Sequence, residues 1–146
     1  MSCPYFDPVA PRAHGARAGN ASLPLGDEWV GLCRADPDTA REPDQAKLRM
    51  LCNIGYARGS CNRFPPKDGP DAARFTLLAD NGATLRLYYV LERDHQPHAH
   101  GALQYAIDGE AVSPAPAGAW TSRQAVAYAR SYLRRKAENQ AWTPSR

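Results

Sequence analysis

Arg74-Phe-Thr-Leu-Leu-Ala-Asp80-Asn-Gly-Ala-Thr84-Leu-Arg-Leu-Tyr-Tyr-Val90 is the stretch that decides the fold. Two runs of aromatic, leucine and β-branched side chains stand on either side of Asp80-Asn81-Gly82. Asparagine and glycine accept the left-handed backbone that a tight hairpin needs, so the stretch reads as two antiparallel strands joined by a turn. With a period of two, Phe75, Leu77, Leu85, Leu87 and Tyr89 share one face. A third strand over residues 101–107 adds Leu103, Tyr105 and Ile107 to that face.

An apolar sheet face needs a cover, and residues 121–139 predict a helix to supply it. Thr121 with Gln124 three residues later has the form of a capping box. Val126, Ala129, Tyr132 or Leu133, and Ala137 make an apolar stripe, and Arg123, Arg130, Arg134, Arg135 and Lys136 mark the opposite, wet side. The proline and alanine run over residues 113–118 connects sheet to helix.

Toward the N-terminus the pattern weakens. Residues 1–41 are crossed by prolines, glycines and arginines without a sustained period, and are expected to be mostly irregular. The run 28–33, Glu-Trp-Val-Gly-Leu-Cys, is their one evident core contribution. Residues 43–55 predict a helix, with Pro43 in its first turn, Asp44 at its positive end, Leu48, Leu51 and Cys52 on one face, and Gly55 as its stop. The expected fold is therefore α+β and a single domain over residues 1–146. A loop-rich cysteine-bearing half with one helix precedes a three-stranded antiparallel sheet and a C-terminal helix packed on it.

Composition narrows the function. The chain is 43% hydrophobic and 23% charged, and its net charge of +3 is too small to demand a nucleic-acid partner. The opening residues lack a basic region followed by an apolar stretch, and no segment approaches the roughly 18 apolar residues of a membrane span. A cytoplasmic location without a membrane partner is expected. In that reducing compartment an even set of cysteines points to metal ligation rather than disulfides.

The candidate ligands are Cys3, Cys33, Cys52 and Cys61, separated by 29, 18 and 8 residues, with no Cys-x-x-Cys pair. Structural zinc usually draws on two short-spaced turns, each aiming two sulfurs at one ion. A cubane is larger, presents separate iron corners and takes thiolates from well-separated segments, so a [4Fe-4S] cluster is the expected cofactor and zinc the alternative. In a third reading the cysteines are core residues without metal, Cys33 and Cys52 first among them.

Pro4 directly follows Cys3, a pairing similar to that at cluster ligands of ferredoxin-type sequences, in those two residues alone. Arg34, Arg49, Arg58 and Arg63 lie beside the ligands and would offset the negative charge of a four-thiolate centre. Gly55, Gly59 and Ser60 offer free amides to sulfur, and Tyr5, Phe6, Tyr56 and Phe64 offer cover from water. Cys3, near the terminus, is expected to be the ligand most easily lost.

His95, His98 and His100 crowd into one loop, where His98 and His100 on a strand would project together and join Asp94 at a divalent metal, or simply stay exposed. The basic last helix, with Tyr128, Tyr132 and Trp142, has the ingredients of a single-strand nucleic-acid surface, or of a solvated face. Phosphate-cradling, dinucleotide and nucleophile-elbow motifs are absent, and a Cys61 nucleophile with His14 has no supporting context. Electron transfer or redox sensing with a redox partner protein is the leading expectation. A zinc-stapled interaction module is second, and an enzyme using an open iron corner as Lewis acid is third.

Overall fold

The computed structural model describes residues 1–12 and 23–141. Its elements are β1 (Phe6–Pro11), β2 (Trp29–Cys33), a single α-turn α1 (Gln45–Lys47) running into a π-helical turn (Leu48–Cys52), β3 (Ala72–Asp80), β4 (Thr84–Arg93), β5 (Gln96–Ala106), β6 (Ala111–Ser113) and α2 (Thr121–Ala141). The chain is α+β with a C-terminal helix on a sheet. There are two sheets among the described residues, a β1–β2 ribbon and a four-stranded β3-β4-β5-β6 meander, where the sequence predicts one sheet of three strands.

The hairpin forms as its residues dictate. Gly82 adopts φ +89°, Asp80 Oδ1 accepts the Gly82 amide at 2.9 Å, and Asn81 Oδ1 accepts those of Ala83 and Thr84 at 3.0 and 2.7 Å. Across the strands Phe75 faces Tyr89, Leu77 faces Leu87, Leu87 faces Leu103 and Leu85 faces Tyr105. This face is the core, and each fully buried leucine in it contributes about 1.5–3 kcal/mol. The fourth strand, β6, is only three residues long, too short to show a period, and lies between the predicted third strand and the connector, sharing only Ser113 with the latter.

α2 covers the face with small residues. Ala125, Ala127 and Ala129 are buried, and Tyr128 packs its ring 5.9 Å from that of Phe75. Phe6, Leu25, Trp29 and Leu48 join the same core, so the cysteine-bearing half is fastened to the sheet half through one apolar cluster. The capping-box reading of Gln124 is corrected: its side chain is buried, accepting from Ser2 Oγ at 2.7 Å and donating to the carbonyls of Cys3 and Phe6 at 2.7 and 2.8 Å.

Two further corrections fall in the N-terminal half. Residues 6–11 and 29–33 form a ribbon, although Pro8 and Pro11 argue against a strand. In a two-stranded ribbon each strand has an outward edge where a proline's missing N–H is not needed, and the register shift between Pro8 and Ala10 absorbs the rest. The helix predicted over 43–55 is instead one α-turn, capped by Asp44 Oδ1 on the Lys47 amide at 2.8 Å, followed by the π-turn. Asn53 is the reason. Its amide bonds Leu48 O at 3.1 Å, its Nδ2 bonds Leu48 O and Trp29 O at 2.9 and 3.0 Å, and its Oδ1 accepts the Trp29 amide at 3.0 Å. One buried carboxamide thus widens the turn and pins it to β2.

Among the described residues no helix is long and apolar enough to cross a membrane.

Candidate metal centre

Each cysteine sits where its backbone is held. Ser2 pairs with Ala73 through amide–carbonyl bonds of 2.7 and 2.8 Å, and the Cys3 amide donates to Cys52 O at 3.0 Å. Phe6 N then bonds Cys3 O at 3.0 Å, closing a four-residue turn with Pro4 in its second position, where proline's fixed φ is favourable. Cys3 is therefore not in a loose terminus, as its position in the chain suggests. It is stitched to the π-turn, to β3 and to α2.

Cys33 ends β2 opposite Phe6, and exchanges backbone bonds of 2.7 and 3.1 Å with Arg41. Cys52 ends the π-turn. Cys61 closes a tight turn in which its amide bonds Ala57 O at 2.7 Å, after Gly59 at φ +87°. Gly59 has open space where a side chain would begin, so its left-handed backbone is what the turn requires of it.

These four segments meet. The Cys3 thiol is pushed up to about 12, first by burial and then by the charges of Cys52, Cys33 and Cys61, against the pull of the Tyr5 amide. Cys52 is likewise pushed up to about 12 by burial and then by Cys33 and Cys61. The Cys3 and Cys52 thiols thus lie within electrostatic reach of the other cysteine-bearing segments. All four are free thiols and half-buried. Cys3 and Cys52 hold their protons, and a ligated metal would displace them.

Among the described residues no three His, Cys, Asp or Glu side chains gather as a single metal ion would need. A tetrahedral zinc with bonds of about 2.3 Å holds its sulfurs about 3.8 Å apart. A cubane, with one iron at each corner, takes a wider set. The donors available, four partly buried free cysteines, are of the ligand type that iron–sulfur clusters take.

The surroundings are built, not incidental. The Tyr5 and Phe64 rings meet edge to face at 5.3 Å, and the Arg58 guanidinium lies 4.7 Å over Phe64. Arg58 also bonds Asp71 at 2.7 Å and the carbonyls of Pro65, Lys67 and Gly69 at 3.1–3.4 Å, so one side chain shapes the loop after Cys61. Burial would raise the Asp71 carboxyl, but Arg58 and the Asp94 amide hold it below its ordinary value. Beside Cys33 a cavity of about 330 Å³ opens, lined also by Arg41, Asn62, Arg63 and Phe64.

The other candidates lie elsewhere. His98 and His100 do share a face of β5, and His100 Nδ1 is 2.5 Å from Tyr88 Oη. His95 sits at the β4–β5 turn with φ +63°, stacked 4.2 Å from the Tyr56 ring, whose hydroxyl accepts the His95 amide and donates to Glu92 at 2.5 Å. With Asp94 they form no metal-ligand group among the described residues. His14 and Trp142 lie outside the described residues.

The basic side of α2 is occupied rather than open. Arg123 bonds buried Asp7 at 2.5 Å, Arg134 bonds buried Asp27, Arg135 bonds Gly26 O at 2.9 Å and Lys136 bonds Asp80 at 2.7 Å. Arg130 is 3.8 Å from Glu110.

Sequence reasoning missed Asn53 and read Gln124 only as a helix cap, whereas these two carboxamides hold the Cys52 and Cys3 turns. The signal for Gln124 was present, as a polar residue at helical spacing on an alanine-rich stripe. No family model, curated protein or solved structure matches the chain.

Proposed function

We propose that the protein holds one iron–sulfur cluster, of the four-iron type, on Cys3, Cys33, Cys52 and Cys61, and serves electron transfer or redox sensing with a redox partner protein in the cytoplasm. The observation that carries this reading is the convergence of four cysteine-bearing segments, through the Cys3–Cys52 backbone bond, the Phe6–Cys33 pairing and the Tyr5–Phe64 ring contact, with the other cysteines adding to burial in raising Cys3 and Cys52. When bound, the cluster supplies one-electron redox chemistry. The protein's own contribution is to bring the thiols together through the Cys3–Cys52 backbone bond, the β1–β2 pairing and the Cys61 turn. Tyr5 and Phe64 shield one side, and the held backbone resists rearrangement when the charge of the site changes. With four protein thiolates every iron corner is closed, which favours electron transfer over Lewis-acid catalysis.

Anaerobic purification, or reconstitution with iron and sulfide, tests this. A brown protein with about four irons and four sulfides per chain, and a paramagnetic signal on reduction, is expected. A colourless protein without iron after reconstitution would sink the reading, and one zinc with no iron would replace it with the structural-zinc module. That alternative also calls on the basic helix for a nucleic-acid or protein partner, and the carboxylates and carbonyl engaging all five of its cations favour it less.

A further inference from the structure

Four arginines stand near the cysteines in sequence, and the structure separates one from the rest. Arg34 pairs with Asp7 at 3.0 Å, Arg49 with Glu28 at 3.0 Å and Arg58 with Asp71 at 2.7 Å, so a carboxylate already answers each of these charges. Arg63 has none. Its Nη1 is buried and lacks any hydrogen-bond partner, the one such side-chain atom among the described residues.

A guanidinium nitrogen closed off from water needs an acceptor, and leaving it unpaired is costly. Arg63 follows Cys61 by two residues, and it lines the cavity wall that Cys33 also lines. The wall also carries Asp36, Thr39, Asn62 and the Cys33 thiol, and none of them hydrogen-bonds Nη1, so its acceptor comes from outside the described side chains. We infer that Arg63 is the tuning residue of the centre, donating from its guanidinium to a cluster sulfur on the Cys33–Cys61 side and setting the reduction potential. The inference rests on the cluster proposed above. An electron delivered by a redox partner makes the centre one charge more negative, and a fixed, partly buried cation favours that state. Arg63 thereby raises the potential.

The experiment uses the full chain, loaded with cluster, as wild type, Arg63→Gln, Arg63→Lys and Arg41→Gln. Arg41 lines the same cavity with an exposed side chain and serves as the control for general charge. Iron and sulfide content and the midpoint from a dithionite titration followed by paramagnetic resonance are read on each. Arg63→Gln is expected to keep its iron and to be about tenfold harder to reduce, about 59 mV lower for one electron. Arg63→Lys should fall between, and Arg41→Gln should shift less than twofold. An Arg63→Gln midpoint equal to wild type at full iron content overturns the inference while leaving the cluster reading intact.

A second readout does not need the potential. In cluster-free protein Arg63→Met removes a guanidinium whose buried Nη1 is unpartnered and should raise the thermal midpoint, whereas in loaded protein it should lower it. The same sign in both forms also overturns the role given to Arg63. Wild type that takes up no iron overturns the parent reading and this one together.

Discussion

A single carboxamide, Gln124, holds the first cysteine turn against the last helix. It is fully buried and uses both ends, accepting from Ser2 and donating to the Cys3 and Phe6 carbonyls. Gln124→Leu keeps the volume and strands those polar groups, so we expect a loss of about 2–4 kcal/mol in urea unfolding. Iron uptake should fall with it, because Cys3 loses its anchor. Asp80 makes a different case, since its carboxyl is held down at about 2, first by Lys136, then by the Gly82 amide and the Tyr132 hydroxyl. A depressed folded-state value stabilises above the unfolded carboxyl range and is lost as pH falls toward 2. Asp80→Asn should therefore lower the thermal midpoint at pH 7 and match wild type near pH 2 in melting curves taken across that range.

At the scale of elements, the β1–β2 ribbon depends on one glycine. A Cβ at Gly31 would stand 2.1 Å from Asp7 O, a backbone atom with no freedom to withdraw. Gly31→Ala should separate the strands and cost about 1–3 kcal/mol, read by chemical unfolding. Cys33 hangs on the end of the same strand, so cluster occupancy should drop in parallel. α2 shows why a basic helix is a poor guide to partners. Its charges read as a wet face because their period opposes the apolar stripe, yet Asp7 and Asp27, both buried and both far away in the chain, claim two of them. A buried carboxylate left without its arginine is strongly destabilising, so these pairs belong to the fold.

At the scale of the whole molecule, the cysteine half and the sheet half share one core, and the four proposed ligands lie between residues 3 and 61. Because Cys3 is bonded to Cys52 through the backbone and to α2 through Gln124, it is as firmly placed as Cys52. Cys3→Ser and Cys52→Ser should then lose iron to the same extent on reconstitution, by more than half. Selective retention in Cys3→Ser would show that the terminus ligates weakly or not at all. The sheet should survive both changes, with far-ultraviolet dichroism near that of wild type.

The hairpin, the inward face of the sheet and the final helix were legible in the residues because their energetics are local. Asn81-Gly82 prefers its turn wherever it stands, and alternation of Leu85 and Leu87 with polar neighbours has only one buried solution. The ribbon was hidden by Pro8 and Pro11, whose cost vanishes only once a partner strand leaves their edges free. The π-turn was hidden because Asn53 bends it by reaching β2, a contact between residues 24 positions apart. So the sequence by itself determined the hairpin, the strand after it and the final helix, which side they bury, and which cysteines the chain has to offer. Only the tertiary structure decided that the four cysteine-bearing segments converge and that Arg63, alone of four similar arginines, has no carboxylate among the described residues. The reason is physical: turn and period preferences act between adjacent residues, whereas the meeting of distant side chains exists only after the core has closed.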